Sequence, residues 1–197
     1  MWGARWAPEC IRRSANYRAG DRATMGIVAQ TMEIATERLL LRVHRLDDVP
    51  QIHAVLYGDA RVRHWTGGPS TLAETYAIVE RYIAAHERHG YSYRSVVARA
   101  SGELVGEAGL KPLDDVGPEL EIGYAFAEAH WGRGYATEAA GALLDEAFGT
   151  LGRGRVFATV REGNTASRHV LDKLGFAATA APAAGDPSLL YHVLEQR

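Results

Sequence analysis

The stretch Glu119-Leu-Glu-Ile-Gly-Tyr-Ala-Phe-Ala-Glu-Ala-His-Trp-Gly-Arg-Gly-Tyr-Ala-Thr-Glu-Ala-Ala140 decides how the rest of the chain is read. It begins as a strand, turns tightly at Gly132 and Gly134, and continues as a helix. Ala136, Ala140, Leu143, Leu144 and Ala147 share one face of that helix. Glycines adopt positive φ and let a ligand approach the main chain closely. The first amides of a helix lack internal partners and lie at the positive end of its dipole, a geometry that suits a pyrophosphate. Three readings compete on these residues alone. A dinucleotide-binding turn wants a third small residue where Thr137 stands, and an acid on the next strand, which residues 155–160 do not carry. A P-loop needs Gly-Lys-Ser or Gly-Lys-Thr, which is absent. The third reading is a plain strand-to-helix turn.

Working outward, residues 39–43 form a short apolar run and read as a strand. Asp47-Asp48-Val49-Pro50 predicts a helix start, with Asp as the cap and Pro in the first turn. Thr71-Leu72-Ala73-Glu74 fits a capping box. The helix it opens buries Tyr76, Val79 and Ile83 and stops at Gly90. Residues 91–99 and 103–110 predict a hairpin about Ser101-Gly102, residues 111–118 a loop, and residues 119–126 a third strand of the meander. After the glycine turn come a helix over about 136–148, a strand over 155–160, and a helix over 164–174 closed by Gly175. Two strands follow, near 176–179 and 189–194. The order β-α-α-β-β-β-α-β-α-β-β predicts an α/β chain with one mixed sheet and helices on its faces.

Composition narrows the function. The 197 residues are enough for one domain, and 47% hydrophobic with 23% charged content is ordinary for a globular protein. A formal net charge of −2 leaves no basic footprint for nucleic acid. No apolar run approaches the ~18 residues that span a bilayer, so no membrane partner is expected. Cys10 is the sole cysteine, which rules out an intrachain disulfide and suggests a reducing, cytoplasmic setting. No Cys/His cluster has metal spacing, and no metal is expected. Residues 1–31 carry five arginines against Glu9 and Asp21, with no signal-peptide core, and read as a disordered or mis-started extension before a single domain over 32–197. A chain starting at Met32 is expected to keep its thermal midpoint.

The residues around the turn resemble the GNAT superfamily of N-acetyltransferases. Trp131-Gly-Arg-Gly-Tyr-Ala136 matches the family's Arg/Gln-x-x-Gly-x-Gly/Ala signature, with Trp in the first position. Trp-Gly-x-Gly-Tyr-Ala-Thr-Glu-Ala, present at 131–139, resembles the ribosomal-protein-alanine acetyltransferase-like branch. So do Thr-Glu-Arg-Leu-x-Leu-Arg at 36–42 and the helix carrying Asn164, Ser167, Leu171, Lys173, Leu174, Gly175 and Phe176. The resemblance implies a sheet whose fourth and fifth predicted strands splay apart to hold acetyl-coenzyme A. It implies that Trp131, Gly132, Arg133, Gly134, Tyr135 and Ala136 form the pyrophosphate turn. The strand edge at Phe126 and Ala127 would pair with the pantetheine arm, and Asn164 would contact the coenzyme. The partners implied are acetyl-coenzyme A and a primary amine, a protein N-terminus or a small molecule; a homodimer is left open.

Acetyl transfer from a thioester to an amine needs a base for the amine, a stabilised oxyanion and a donor for the departing sulfur. Ser167 is the candidate donor, one helical turn from Asn164 on a shared face. The plainer readings are a surface serine and an N-cap asparagine. Glu121 is the candidate base, with Glu119 on its strand face; a solvated pair is the alternative. His130, a group that titrates near neutrality, reads more simply as packing beside the turn, Tyr124 as core, and His64 and Trp65 as an amphipathic pair at a helix end, with shaping of the acceptor pocket as the alternative. The expected activity is direct attack in a ternary complex. A coenzyme-binding sensor without catalysis, and an acyl group such as succinyl, are the alternatives.

Overall fold

The computed structural model describes residues 33–115, 117–182 and 185–196. The expected extension over 1–31 lies outside them. Eight strands make one sheet in the order β1-β2-β3-β4-β5-β6-β8-β7. They are β1 (Glu33–Ala35), β2 (Leu39–Val43), β3 (Tyr93–Ala98), β4 (Leu104–Pro112), β5 (Leu120–Phe126), β6 (Arg155–Val160), β7 (Ala177–Thr179) and β8 (Leu190–Glu195). Every pairing is antiparallel except β5 with β6. That parallel pairing covers only Leu120 with Val156 and Glu121 with Phe157. Beyond those residues the two strands part.

Helices cover both faces. On one side, α4 (Tyr135–Asp145, extended by a wider turn over Glu146–Thr150) and α5 (Thr165–Leu174) pack on the sheet. Leu143, Leu144 and Leu171 meet Leu120, Ile122 and Phe126 in this main core. On the other side lie α1 (Val49–Ile52, continued over His53–Tyr57), α2 (Ala60–Arg63) and α3 (Leu72–His89). There Val49, Ile52, Leu56 and Val79 close over Leu104. The alternation of β5 follows from this arrangement: residues 120, 122, 124 and 126 face α4 and α5, and Glu121, Gly123 and Ala125 face the other side.

The long helix has the predicted ends, and Val79 and Ile83 pack inward, but Tyr76, expected on the buried face, is exposed and Thr75 is buried instead. Thr71 and Glu74 form the reciprocal capping box, and Gly90 ends the helix at φ 78°. The first helical segment differs. Asp48 caps one turn earlier than expected: its carboxylate accepts from the Arg45 amide at 3.1 Å and is also held by both terminal nitrogens of Arg42, at 2.6 and 2.8 Å. The segment then breaks near Gly58, and Asp59 caps α2 by accepting from the Arg61 amide at 2.9 Å. The predicted loop over 111–118 begins later than expected, because β4 runs on to Pro112 against β5.

Candidate active site

The site forms where β5 and β6 separate, and it begins at the glycine turn. Gly132 and Gly134 have φ of 73° and 79°, the left-handed region that disfavours side chains. A Cβ built on Gly132 meets no protein atom within 4 Å. Gly134 is the N-cap of α4 and offers no side-chain cap. The first helical bond is Glu138 N–H to the Gly134 carbonyl at 3.1 Å, so the amides before it have no partner inside the helix.

The turn is braced from two sides. The Trp131 indole, half exposed, donates to the Phe126 carbonyl at 2.7 Å and ties the turn to the end of β5. Glu138, in the first turn of α4, directs its carboxylate to the residues before β2. It accepts from the Thr36 hydroxyl at 2.5 Å, the Arg38 amide at 2.8 Å and Arg38 Nε at 2.6 Å. Arg38 also donates to the Arg133 carbonyl at 2.9 Å and lies over the Tyr135 ring. The Thr-Glu-Arg motif and the Ala-Thr-Glu motif are thus one structural unit. His130 is buried, stacks on Tyr135 and reaches Glu103 at 3.3 Å, which is packing beside the turn.

At the strand edge, Ala127 spends both backbone groups within the protein. Its N–H donates to the Val105 carbonyl at 3.0 Å, and its carbonyl accepts from the His130 amide at 2.9 Å. Since alternate residues of an antiparallel strand bond opposite neighbours, the backbones of Tyr124 and Phe126 face the gap toward β6. The Phe126 side chain itself is core.

Asn164 and Ser167 open α5. Asn164 Oδ1 accepts from the Ser167 amide at 3.1 Å, so the asparagine is the N-cap, and its amide nitrogen is not used in that bond. Trp65 covers Gly163 so closely that a Cβ there would come within 2.9 Å of the indole. The Trp65 carbonyl accepts from Arg161 Nε at 2.8 Å. The residues after α2 therefore wall the gap at the start of α5.

Two carboxylates lie on the α1/α3 face. Glu121 is buried at the last paired position of β5, where the gap begins. Thr159 donates its hydroxyl to one oxygen, and Lys111 pairs with the other at 3.0 Å. Burial works against the Lys111 charge, but Glu121 and Asp115 hold its ammonium above the usual range. Glu119 instead pairs with Arg155 at the surface. The sequence reading missed Glu107, fully enclosed on β4. Tyr57 donates to its two oxygens at 2.8 and 3.0 Å. Its only signal in the sequence is an acid inside an apolar strand.

Burial raises the Glu107 carboxyl to about 7, and burial lowers the nearby His44, bonded to Ser95, to about 4. The signs oppose. Between about 4.5 and 7 the folded state holds the Glu107 proton more tightly, so this group makes stability fall as pH rises. Between about 4 and 6.5 the unfolded state holds the His44 proton more tightly, so that group makes stability rise with pH. Glu107→Gln should remove the falling contribution. Its advantage over the wild type should grow from pH 4.5 to 7, toward the order of 2–3 kcal/mol. Urea unfolding across that range measures it, and a constant difference would contradict it.

A sheet split at one parallel pair, with open amides at the helix start beside it, is the arrangement that the resemblance to the GNAT superfamily implies. The profile of the family described as "Acetyltransferase (GNAT) domain" matches residues 38–177. The chain belongs to the GNAT acetyltransferase family and is an acyltransferase. It is 32% identical to the Bacillus subtilis (strain 168) protein YkkB over 144 residues, 73% of this chain and 84% of that one. It superposes with a TM-score of 0.73 on an acetyltransferase from Agrobacterium tumefaciens str. C58, at 29% identity, covering 91% of this chain and 100% of that one. The fold, at 19% identity and a TM-score of 0.71, recurs in RimL, the ribosomal L7/L12 alpha-N-protein acetyltransferase, in complex with coenzyme A; the two cover 83% and 97% of their chains. Among the described residues, no three His, Cys, Asp or Glu are grouped to hold a metal, and no helix is long and apolar enough to cross a membrane.

Proposed function

We propose that the chain transfers an acetyl group from acetyl-coenzyme A to a primary amine by direct attack in a ternary complex. The observation that carries this reading is the split of β5 from β6 just past Glu121 and Phe157, with Glu121 on one face of the sheet and Ser167 on the other. An amine can enter from the Glu121 side while sulfur leaves on the Ser167 side. Acetyl-coenzyme A would supply the activated acyl group as a thioester. The backbone amides over 132–136 bind its pyrophosphate, with Trp131 and Arg133 bracing the turn. The Phe126 amide, with the backbone of Tyr124, pairs with the pantetheine arm; the Phe126 carbonyl is held by the Trp131 indole, and Ala127 ends the strand with both groups bonded within the protein. Asn164 contributes its amide nitrogen. Glu121 receives the amine's proton, directly or through water, and Lys111 and Thr159 fix its two oxygens. Ser167 donates to the departing sulfur. The acceptor is a protein N-terminus, as the name of RimL describes for that protein, or a small-molecule amine.

Initial-rate kinetics test the direct attack. Varying acetyl-coenzyme A at several fixed amine concentrations should give intersecting reciprocal plots. Parallel plots would mean a covalent acyl-enzyme and would overturn the ternary complex. A valine at Gly134 tests the turn. Its Cβ would lie 3.4 Å from Arg38 Nη2, at a φ that β-branched residues avoid, and its methyls would crowd the amides. Calorimetry should show acetyl-coenzyme A affinity falling tenfold or more, about 1.4 kcal/mol. Unchanged affinity in a folded variant would remove the pyrophosphate from this turn.

A further inference from the structure

The sequence places Tyr124 in the core, yet its hydroxyl bridges the gap between β5 and α5. It donates to the Ser167 carbonyl oxygen at 3.2 Å and lies 3.1 Å from Ser167 Oγ, so its single hydrogen sits between two acceptors in a three-centre arrangement. Both side chains are only half buried, just past the point where β5 and β6 stop pairing. We propose that Tyr124 is a positioning residue, which donates to Ser167 Oγ and so leaves the serine's own hydrogen to point at the coenzyme sulfur. The inference rests on the coenzyme placement above and deepens it.

The chemistry follows from counting hydrogens. A serine hydroxyl has one hydrogen and two lone pairs. On a helix, such a hydroxyl can turn back on a backbone carbonyl three or four residues before it. Tyr124 occupies a lone pair instead and fixes the rotamer. A hydroxyl that accepts one hydrogen bond is also polarised into a better donor. Burial pushes the Tyr124 phenol up to about 12, so it stays protonated through the neutral range and acts as a donor rather than a proton source. As the N–C bond forms and the C–S bond breaks, Ser167 hydrogen-bonds the sulfur, which leaves as thiolate. Glu121 takes the proton released by the nitrogen and passes it to solvent, from which the thiolate is protonated. Tyr124 keeps its hydrogen throughout.

The test needs no acceptor. Coenzyme A is bound at saturation and its thiol titrated by the ultraviolet absorbance of the thiolate. Calorimetry measures affinity in parallel. The wild type should depress the thiol pKa below that of free coenzyme A. Tyr124→Phe should raise it by about one unit, the size expected when a hydrogen bond to a charged group is weakened. Affinity should be little changed. Ser167→Ala should raise it at least as far, and the double variant should titrate like Ser167→Ala alone, because the tyrosine acts through the serine. If Ser167→Ala shifts the thiol and Tyr124→Phe does not, the inference fails while the proposed site stands. A further shift in the double variant also overturns it, since the tyrosine would then act without the serine. If Ser167→Ala leaves the thiol unchanged, the serine's placement fails and takes the inference with it. A Tyr124→Phe variant that fails to fold or to bind coenzyme A would make the phenol a structural brace and equally overturn the proposal.

Discussion

Glu146→Ala should cost about 3–5 kcal/mol of stability, the range for a buried ion pair stripped of one partner. Arg94 on β3 is fully buried, and its terminal nitrogens donate to the two Glu146 oxygens at 2.8 and 2.7 Å. Removing the carboxylate takes two charged hydrogen bonds from a guanidinium in a low-dielectric interior. Arg94→Met together with Glu146→Leu should recover most of the loss, because a well-packed apolar pair removes both desolvation costs. Urea unfolding of the single and double variants measures the two effects. Equal instability of both would mean that the pair serves packing rather than charge balance. The bond also ties β3 to the C-terminal end of α4, the helix whose first turn is proposed to hold the pyrophosphate.

Ser167→Ala should lower kcat by about 10²-fold, the size expected when one hydrogen-bond donor to charge developing in the transition state is lost. The variant keeps the Asn164 cap, which uses the Ser167 amide and not its hydroxyl. Coenzyme affinity should therefore hold, and kcat and kcat/KM should fall together, the signature of an interaction made in the transition state. Calorimetry separates this from lost binding. A wild-type rate in single-turnover experiments, where product release does not intervene, would rule the serine out as donor.

The order of elements was legible because its punctuation is local. Thr71 with Glu74, Gly90, Gly134, Asn164 and Gly175 each mark an end through a cap or a positive φ. Two features escaped for the same physical reason. The three-residue strand β1 is too short to carry a period, and it exists only by pairing with β2. Asp48 reads locally as a cap and does accept from the Arg45 amide, but the two charged hydrogen bonds it also takes from Arg42 on the neighbouring strand are not visible locally. The glycine turn and the Asn164 helix were legible as motifs. Spacing could not say that Tyr124 and Ser167, far apart in the chain, bring their hydroxyls together, nor that Lys111 and Thr159 hold Glu121. Such contacts follow from sheet order, which no local pattern encodes. The acid at Glu107 stands out only once its strand is known to be buried on both faces.

The most direct measurement is a stoichiometry. The protein is incubated with acetyl-coenzyme A and a panel of peptide N-termini, polyamines, amino acids and aminoglycosides, and free thiol and N-acetyl product are quantified together by thiol titration and mass spectrometry. At least one amine should yield acetylated product in equal amount to the thiol released, with the rate reduced in Ser167→Ala and binding weakened in Gly134→Val. Saturable binding of acetyl-coenzyme A, with no acetyl amide formed on any amine of the panel, would contradict direct transfer and make the split between β5 and β6 a coenzyme-sensing site.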